Sequence, residues 1–255
     1  MMTSQRQTEI LNAVRERGNY SVADLADRLT VSTETIRRHV RELVEQGILL
    51  KFHGGVMLPV SMDELPFQRR MQLNASFKRA VAASVAARIK DGDTLILDSG
   101  TTTSYVADAL SAHAKLVIIT NSADIACRLA QRNGNRVFMA GGEITPEGLA
   151  AFGSGVSGFL RQFRARYALI SVGGISLRGD FSAFNLWEAE FAQTAIAQAD
   201  EAWLIADHTK FGRDAPVRVG EISQLKAVVS NQDLPPAFAE HCQALGVEMV
   251  LPPHS

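Results

Sequence analysis

Cysteine is scarce: Cys127 and Cys242 are the two present in 255 residues. They stand far apart, each inside an apolar helical pattern, which fits free buried thiols in a reducing compartment better than a disulfide scaffold. Long apolar runs are missing as well. None approaches the roughly 18 residues that a membrane span needs, and the N-terminus opens on Thr3, Ser4, Gln5 and Arg6, so no membrane partner and a cytoplasmic location are expected. An excess of charge of one sign is also lacking, because 26 Lys and Arg offset 27 Asp and Glu for a formal net charge of −1. That balance argues against a protein that coats polyanions, yet leaves room for a small basic face that reads a specific DNA sequence. With 46% hydrophobic and 21% charged residues, the chain is neither disordered nor collagen-like. No internal repeat or low-complexity tract occurs.

What is present divides near residue 60. Residues 4–57 read as short helices with little between them, whereas beyond residue 76 apolar strand-like runs alternate with helical patterns, the mark of an α/β domain. Between them, Leu58 to Pro66 has two prolines and no sustained period, so it reads as a connector. The expected organisation is a winged helix-turn-helix over 1–57, a linker over 58–75, and a larger α/β domain over 76–255.

In the first part Ile10, Leu11 and Val14 share one helical face, and Gly18 with Asn19 ends that helix. Ser21 with Asp24 resembles a capping box, and Val22, Leu25, Ala26 and Leu29 point inward from a short second helix. Ser32 can cap a third helix whose Ile36, Val40, Leu43 and Val44 form a buried stripe. Its outward residues Thr33, Thr35, Arg37, Arg38 and Arg41 suit DNA. Exposed backbone N–H groups at a helix start favour phosphate, Arg makes forked bonds to guanine or phosphate, and Thr contacts phosphate or a thymine methyl. Residues 47–56 look like a two-stranded wing, with Lys51 and His53 placed to touch phosphate. The plainer reading of Arg37, Arg38 and Arg41 is a solvated face paired with Glu34, Glu42 and Glu45, worth tenths of a kcal/mol per pair.

The second part reads as a ligand-binding body. A buried strand, Thr94 to Asp98, runs into Ser99-Gly100-Thr101-Thr102-Thr103 and then a helix, so hydroxyls and N–H groups converge where anions are held. A glycine turn with threonine capping explains the same residues. Two further strands end in Asn121-Ser122 and in Gly141-Gly142-Glu143, and others end at Gly173-Gly174 and at Asp207. In an open parallel sheet such loops gather at the carboxyl edge, where a small ligand binds at the topological switch point. Lys210 could supply an ammonium for phosphate, and Asp98, Asp207 or Glu188 could bond ligand hydroxyls or orient that lysine. Glu188 could equally be solvated. Met139, Phe138, Trp203 and Phe211 read as core or pocket wall. No second histidine or cysteine stands at ligand spacing from His208, so neither a metal nor a cofactor is expected.

Taken in order, Val31-Ser32-Thr33-Glu34-Thr35-Ile36-Arg37-Arg38, His53-Gly54-Gly55, Asp98 to Thr103, Thr120-Asn121-Ser122, Gly141-Gly142-Glu143 and Asp207 to Gly212 resemble the DeoR-type bacterial transcriptional regulators. Gln162-Phe163-Arg164, Asn185 to Glu190 and Asp207 to Arg213 look most like the glycerol-3-phosphate repressor branch. The chain departs from the family where Arg37-Arg38-His39-Val40 replaces the usual Arg-Arg-Asp-Leu, which implies altered operator preference rather than lost binding. The resemblance implies that the larger domain has the fold of the ribose-phosphate isomerase and CoA-transferase group and binds a phosphorylated sugar or polyol. The expected protein is a repressor, dimeric or tetrameric, that binds double-stranded operator DNA and releases it when that effector occupies the cleft, with Asp98, Gly100, Thr101, Thr102, Asn121, Ser122, Gly141, Gly142, Glu188 and Lys210 as its ligands. The alternative is an aldose–ketose phosphate isomerase with Asp98 or Glu188 as base and Lys210 as stabiliser, which would leave the DNA-reading helix without a use.

Overall fold

A computed structural model of the chain describes residues 5–17, 19–45, 49–52, 55–57, 67–145 and 148–252. Two compact units make up the chain, Met1–Ser61 and Met62–Ser255.

The smaller unit runs α1 (Gln5–Arg17), β1 (Asn19–Tyr20), α2 (Val22–Leu29), α3 (Thr33–Glu45), β2 (Leu50–Phe52) and β3 (Gly55–Met57). Ile10, Leu11 and Val14 meet Leu25, Ile36, Val40 and Leu43 in a core of their own, as their helical spacing demands. Ser21 Oγ accepts the Asp24 N–H at 3.0 Å and starts α2. Thr30, in the left-handed region at φ 54°, stops it. Ser32 Oγ then accepts the Thr35 N–H at 3.3 Å and opens α3 two residues after that stop, so the turn between the helices is tight. The wing is antiparallel, with order β1-β3-β2. Its third strand, β1, was not expected, because a run of two residues is too short to show alternation.

The larger unit runs α4 (Phe67–Gln72), α5 (Ala75–Ala86), β4 (Thr94–Leu97), α6 (Thr101–Ala109), β5 (Val117–Thr120), α7 (Ala123–Leu129), β6 (Arg136–Met139), β7 (Ile144–Thr145), β8 (Ala150–Ala151), α8 (Ser154–Leu160), β9 (Ala165–Ile170), β10 (Gly174–Ile175), β11 (Asp180–Ala183), α9 (Leu186–Ala197), β12 (Ala199–Ile205), β13 (Val217–Glu221), β14 (Ala227–Val229), α10 (Pro236–Leu245) and β15 (Glu248–Val250). Its main sheet has the order β15-β14-β12-β9-β4-β5-β6, and every neighbouring pair in it is parallel. Strands so placed are apolar on both faces and feed two cores by alternation. Ile96, Ile119, Ala168, Ile170 and Leu204 face α8, α9 and α10, while Leu95, Leu97, Ile118, Leu169 and Ile205 face α5, α6 and α7.

From β4 the chain moves outward one way through β5 and β6, and from β9 the other way through β12, β14 and β15. The switch point lies between β4 and β9. A second, antiparallel sheet, β10-β11-β13, projects beyond the carboxyl end of β9.

Two expectations need adjusting. The span 58–75 is not all connector, because α4 and the first residue of α5 fall within it, and residues 58–66 lie outside the described set. Cys242 is buried but Cys127 is exposed, since the buried stripe of α7 is Ile125, Ala126 and Leu129 and position 127 falls off it. Both thiols are free.

Candidate functional site

The outer face of α3 carries Ser32, Thr33, Arg37, Arg38 and Arg41 exposed, with Thr35 half-buried beside the Ser32 hydroxyl. The ion-pair lattice of the plainer reading is mostly absent. Arg37 sits 3.6 Å from Glu34 with both side chains largely exposed, whereas Arg38 and Arg41 make no ion pair among the described residues. Two guanidinium groups are thus presented from the second and third turns of a helix that is fixed by its other face. His39 turns away from that surface. Its Nδ1 stands 3.7 Å from Glu42 Oε2, and Glu42 accepts a bond from Gln7 Nε2 of α1 at 2.7 Å. Lys51 lies in β2, its side chain outside what the structure describes, and His53 is outside the described residues altogether.

In the larger unit a cleft of about 560 Å³ opens at the carboxyl ends of β4 and β9, the switch point itself. Residues 98–102 form one wall and 171–173 the next; Thr145, Gly148 and Phe152 close one side, Phe184, Trp187 and Glu188 another, and Arg70 and Lys210 supply cations.

Asp98 organises the floor. One carboxylate oxygen accepts the Gly100 N–H at 3.0 Å and the Thr103 hydroxyl, and the other accepts the Ser171 N–H at 2.5 Å and the Ser171 hydroxyl at 2.9 Å. The two strand ends are therefore bridged by one side chain. Burial raises the Asp98 pKa, and the donors from Thr103, Gly100 and Ser171 pull it back. Gly100 is required there: a Cβ would run into Ser171 Oγ and stand 2.8 Å from Ser171 Cβ. This packing leaves the α6 N-terminus, with Thr101 and Thr102, turned to the cleft, where N–H groups and a helix dipole favour an anion.

Lys210 arrives from the turn after β12. Asp207 accepts the Thr209 N–H at 3.0 Å and so caps that turn, and Lys210 Nζ reaches to 3.5 Å from the Gly173 carbonyl on the β9 side of the cleft. At the start of α9, Asn185 Oδ1 accepts the Glu188 N–H at 2.9 Å, which places Trp187 and Glu188 at the rim. Among the described residues no cluster of His, Cys, Asp and Glu could hold a metal ion, and no helix is long and apolar enough to cross a membrane.

Residues 6–61 match the DeoR-like helix-turn-helix domain, and residues 73–232 match the DeoR C terminal sensor domain. The chain belongs to the DeoR family.

Similar proteins run nearly its full length. The HTH-type transcriptional repressor CsqR of Escherichia coli (strain K12) is 35% identical over 97% of this chain and 95% of its own. The glycerol-3-phosphate regulon repressor of the same organism is 35% identical over 92% and 93%. Among solved structures, ribose 5-phosphate isomerase from Plasmodium falciparum is similar at 13% identity over 53% of this chain and 52% of that one, with a TM-score of 0.38, too slight a likeness to assign the fold, which rests on the sheet order.

In this DeoR-family chain Asp98, Gly100, Thr101, Thr102, Glu188 and Lys210 gather at one cleft, and Asn121, Ser122, Gly141 and Gly142 do not line it. The reason is topological: β5 and β6 lie on the far side of β4 from the switch point, so their loops emerge at the same edge but further along it. Asn121 Nδ2 donates to the Ala151 carbonyl at 2.9 Å, and Ser122 Oγ accepts the Ile125 N–H at 3.3 Å to cap α7. They seat the β7–β8 hairpin, whose Thr145 and Gly148 do reach the cleft. Arg70, Ser171, Phe184 and Trp187 were missed. Only the Asn185 to Glu190 stretch gave any signal near them, through the resemblance. Phe138 and Trp203 pack in the sheet cores, not at the cleft.

Proposed function

We propose that this DeoR-family chain is a cytoplasmic transcriptional repressor that grips operator DNA with α3 and the wing and lets go when a phosphorylated sugar or polyol enters the cleft. What carries the reading is the cleft: a helix N-terminus turned to the cavity with threonine hydroxyls, two cations, the carboxylates of Asp98 and Glu188 and aromatic walls, in a chain that also holds a DNA-reading helix. Arg and Lys with N–H groups suit a phosphate, while Glu188, Asn185 and the hydroxyls suit a polyol. Among similar proteins, one is named for the glycerol-3-phosphate regulon, which makes glycerol 3-phosphate the first compound to try. Ser32, Thr33, Thr35, Arg37, Arg38, Arg41, Lys51 and His53 are assigned to DNA. Dimers or tetramers fit, because one winged helix reads few base pairs and pairing raises affinity through effective concentration. Relief by 100-fold requires the ligand to favour the released state by about 2.7 kcal/mol, within reach of a few charge-assisted bonds. The isomerase alternative is not favoured: the bonds that Asp98 makes go to its own loops, which leaves Glu188 as the base it would need, and the similar proteins are repressors.

The test is fluorescence anisotropy on a labelled duplex from upstream of the protein's own gene, at fixed salt, titrated with glycerol 3-phosphate and with hexose and pentose phosphates. A shift of DNA affinity of about tenfold or more by one compound supports the reading. Binding no stronger than to random duplex, together with turnover of a panel member, overturns it.

A further inference from the structure

A ligand in the cleft can act on DNA only if it favours one placement of something joined to the reading unit. The units divide between residues 61 and 62, and α4 is the first described element after that division. Of the cleft-lining residues, Arg70 alone comes from α4; the others all follow β4 in the chain.

The seating of α4 binds it to the parts that build the cleft. Its first residue, Phe67, is buried, and the Arg70 guanidinium lies 5.7 Å from the Phe67 ring centre. The Met71 carbonyl accepts the Tyr105 hydroxyl at 2.9 Å, and Tyr105 belongs to α6, the helix whose start faces the cleft. The Arg70 carbonyl accepts the buried Lys78 ammonium of α5 at 2.5 Å. Just past α4, Asn74 donates from Nδ2 to Thr209 Oγ1 at 3.2 Å, one residue from Lys210 and inside the turn capped by Asp207. Asn74 holds this position in the left-handed region at φ 55°. Helix α4 therefore touches the helix that offers Thr101 and Thr102 and places a guanidinium in the same cavity, while Asn74, at the start of α5, holds the turn that offers Lys210.

We propose that Arg70 is a ligand for the anion and that it couples the cleft to the connector, so that occupancy fixes where α4 sits. The inference rests on the reading of the cleft as a phosphate site. A guanidinium can fork onto two phosphate oxygens, which ties the angle of α4 to the anion in a way that a lysine's point charge does not. Asn74 is a positioning residue: it links α4 to the Lys210 turn without lining the cavity.

Two quantities are measured on the full chain: the affinity for glycerol 3-phosphate, glucose 6-phosphate, ribose 5-phosphate and inorganic phosphate by titration calorimetry, and operator affinity without and with each probe at saturation. Arg70→Gln is expected to weaken the binding probe by about tenfold or more and to abolish the operator response, with Arg70→Lys intermediate in affinity because the charge stays and the fork is lost. Asn74→Gly, which keeps the backbone conformation and removes the bond to Thr209, is expected to keep probe affinity within about threefold and to lose most of the operator response. Tryptophan fluorescence on denaturation establishes that each variant is folded. Wild-type probe affinity in a folded Arg70→Gln protein overturns the proposal, and so does a full operator response at saturation in that variant. If Lys210→Gln weakens the probe and Arg70→Gln does not, the phosphate reading survives and this inference falls. If the wild-type chain binds none of the probes, both fall together.

Discussion

Replacing Asp98 by asparagine tests whether one carboxylate holds the cleft together. The substitution preserves shape but must put an NH2 where an oxygen was. Each oxygen meets one backbone N–H, from Gly100 at 3.0 Å or from Ser171 at 2.5 Å, and one hydroxyl. A hydroxyl can rotate to accept from the new NH2; a backbone N–H cannot, so either amide orientation orphans one buried donor. That costs about 1–3 kcal/mol, and loss of charge assistance in the surviving bonds adds about 1 kcal/mol. Relief of a buried charge, the effect that raises the Asp98 pKa, offsets part of this. The net expectation is about 2 kcal/mol of destabilisation. Both tryptophans, Trp187 and Trp203, lie in the larger unit, so their fluorescence follows its unfolding alone. At a urea slope of about 2 kcal/mol per molar, the midpoint falls by about 1 M. Ser171→Ala, which removes a hydroxyl and keeps the N–H, should move it by no more than half as much. A midpoint unchanged in Asp98→Asn would refute the bridging role assigned to this carboxylate.

Two further outcomes are expected. Arg38→Ala, at an exposed position without an ion pair among the described residues, should leave the unfolding midpoint unchanged, weaken operator binding and lower its salt slope by about 0.9 for each phosphate that the arginine had neutralised, as read by anisotropy across a salt series; an unaltered slope and affinity would remove Arg38 from the interface. An alkylating reagent at pH 8, followed by mass spectrometry, should modify exposed Cys127 promptly in the native protein and Cys242 only after unfolding, because burial pushes the Cys242 thiol up to about 11; equal labelling of both would contradict the packing of α10.

The sequence made the helices of the small unit legible because their buried residues recur at helical spacing and Ser21 and Ser32 are capping residues. The strands of the large sheet were legible as apolar runs that stop at small polar residues. What could not be read was which strands adjoin. Thr120-Asn121-Ser122 and Ser99-Gly100-Thr101 are alike as text, and only the sheet order, which inserts β9 beside β4, makes one loop a cleft wall and the other a hairpin seat. Arg70 was hidden for a different reason. It lies in a six-residue helix, too short for a period to declare itself, next to a proline-bearing segment that reads as linker.

The insertion of β9 beside β4 also sets a timetable. Ribosomes deliver the chain from its N-terminus, and domains fold as they emerge. The reading unit is complete once β3 has been made, whereas the cleft needs Ser171 to Gly173 and then Lys210, more than half the chain later. A nonsense mutation or a proteolytic nick anywhere between those points leaves a reader deprived of its sensor. Damage of that kind removes the cleft and, with it, any pairing that the larger unit supplies, so the fragment would lose its signal and the avidity on which a firm operator grip depends.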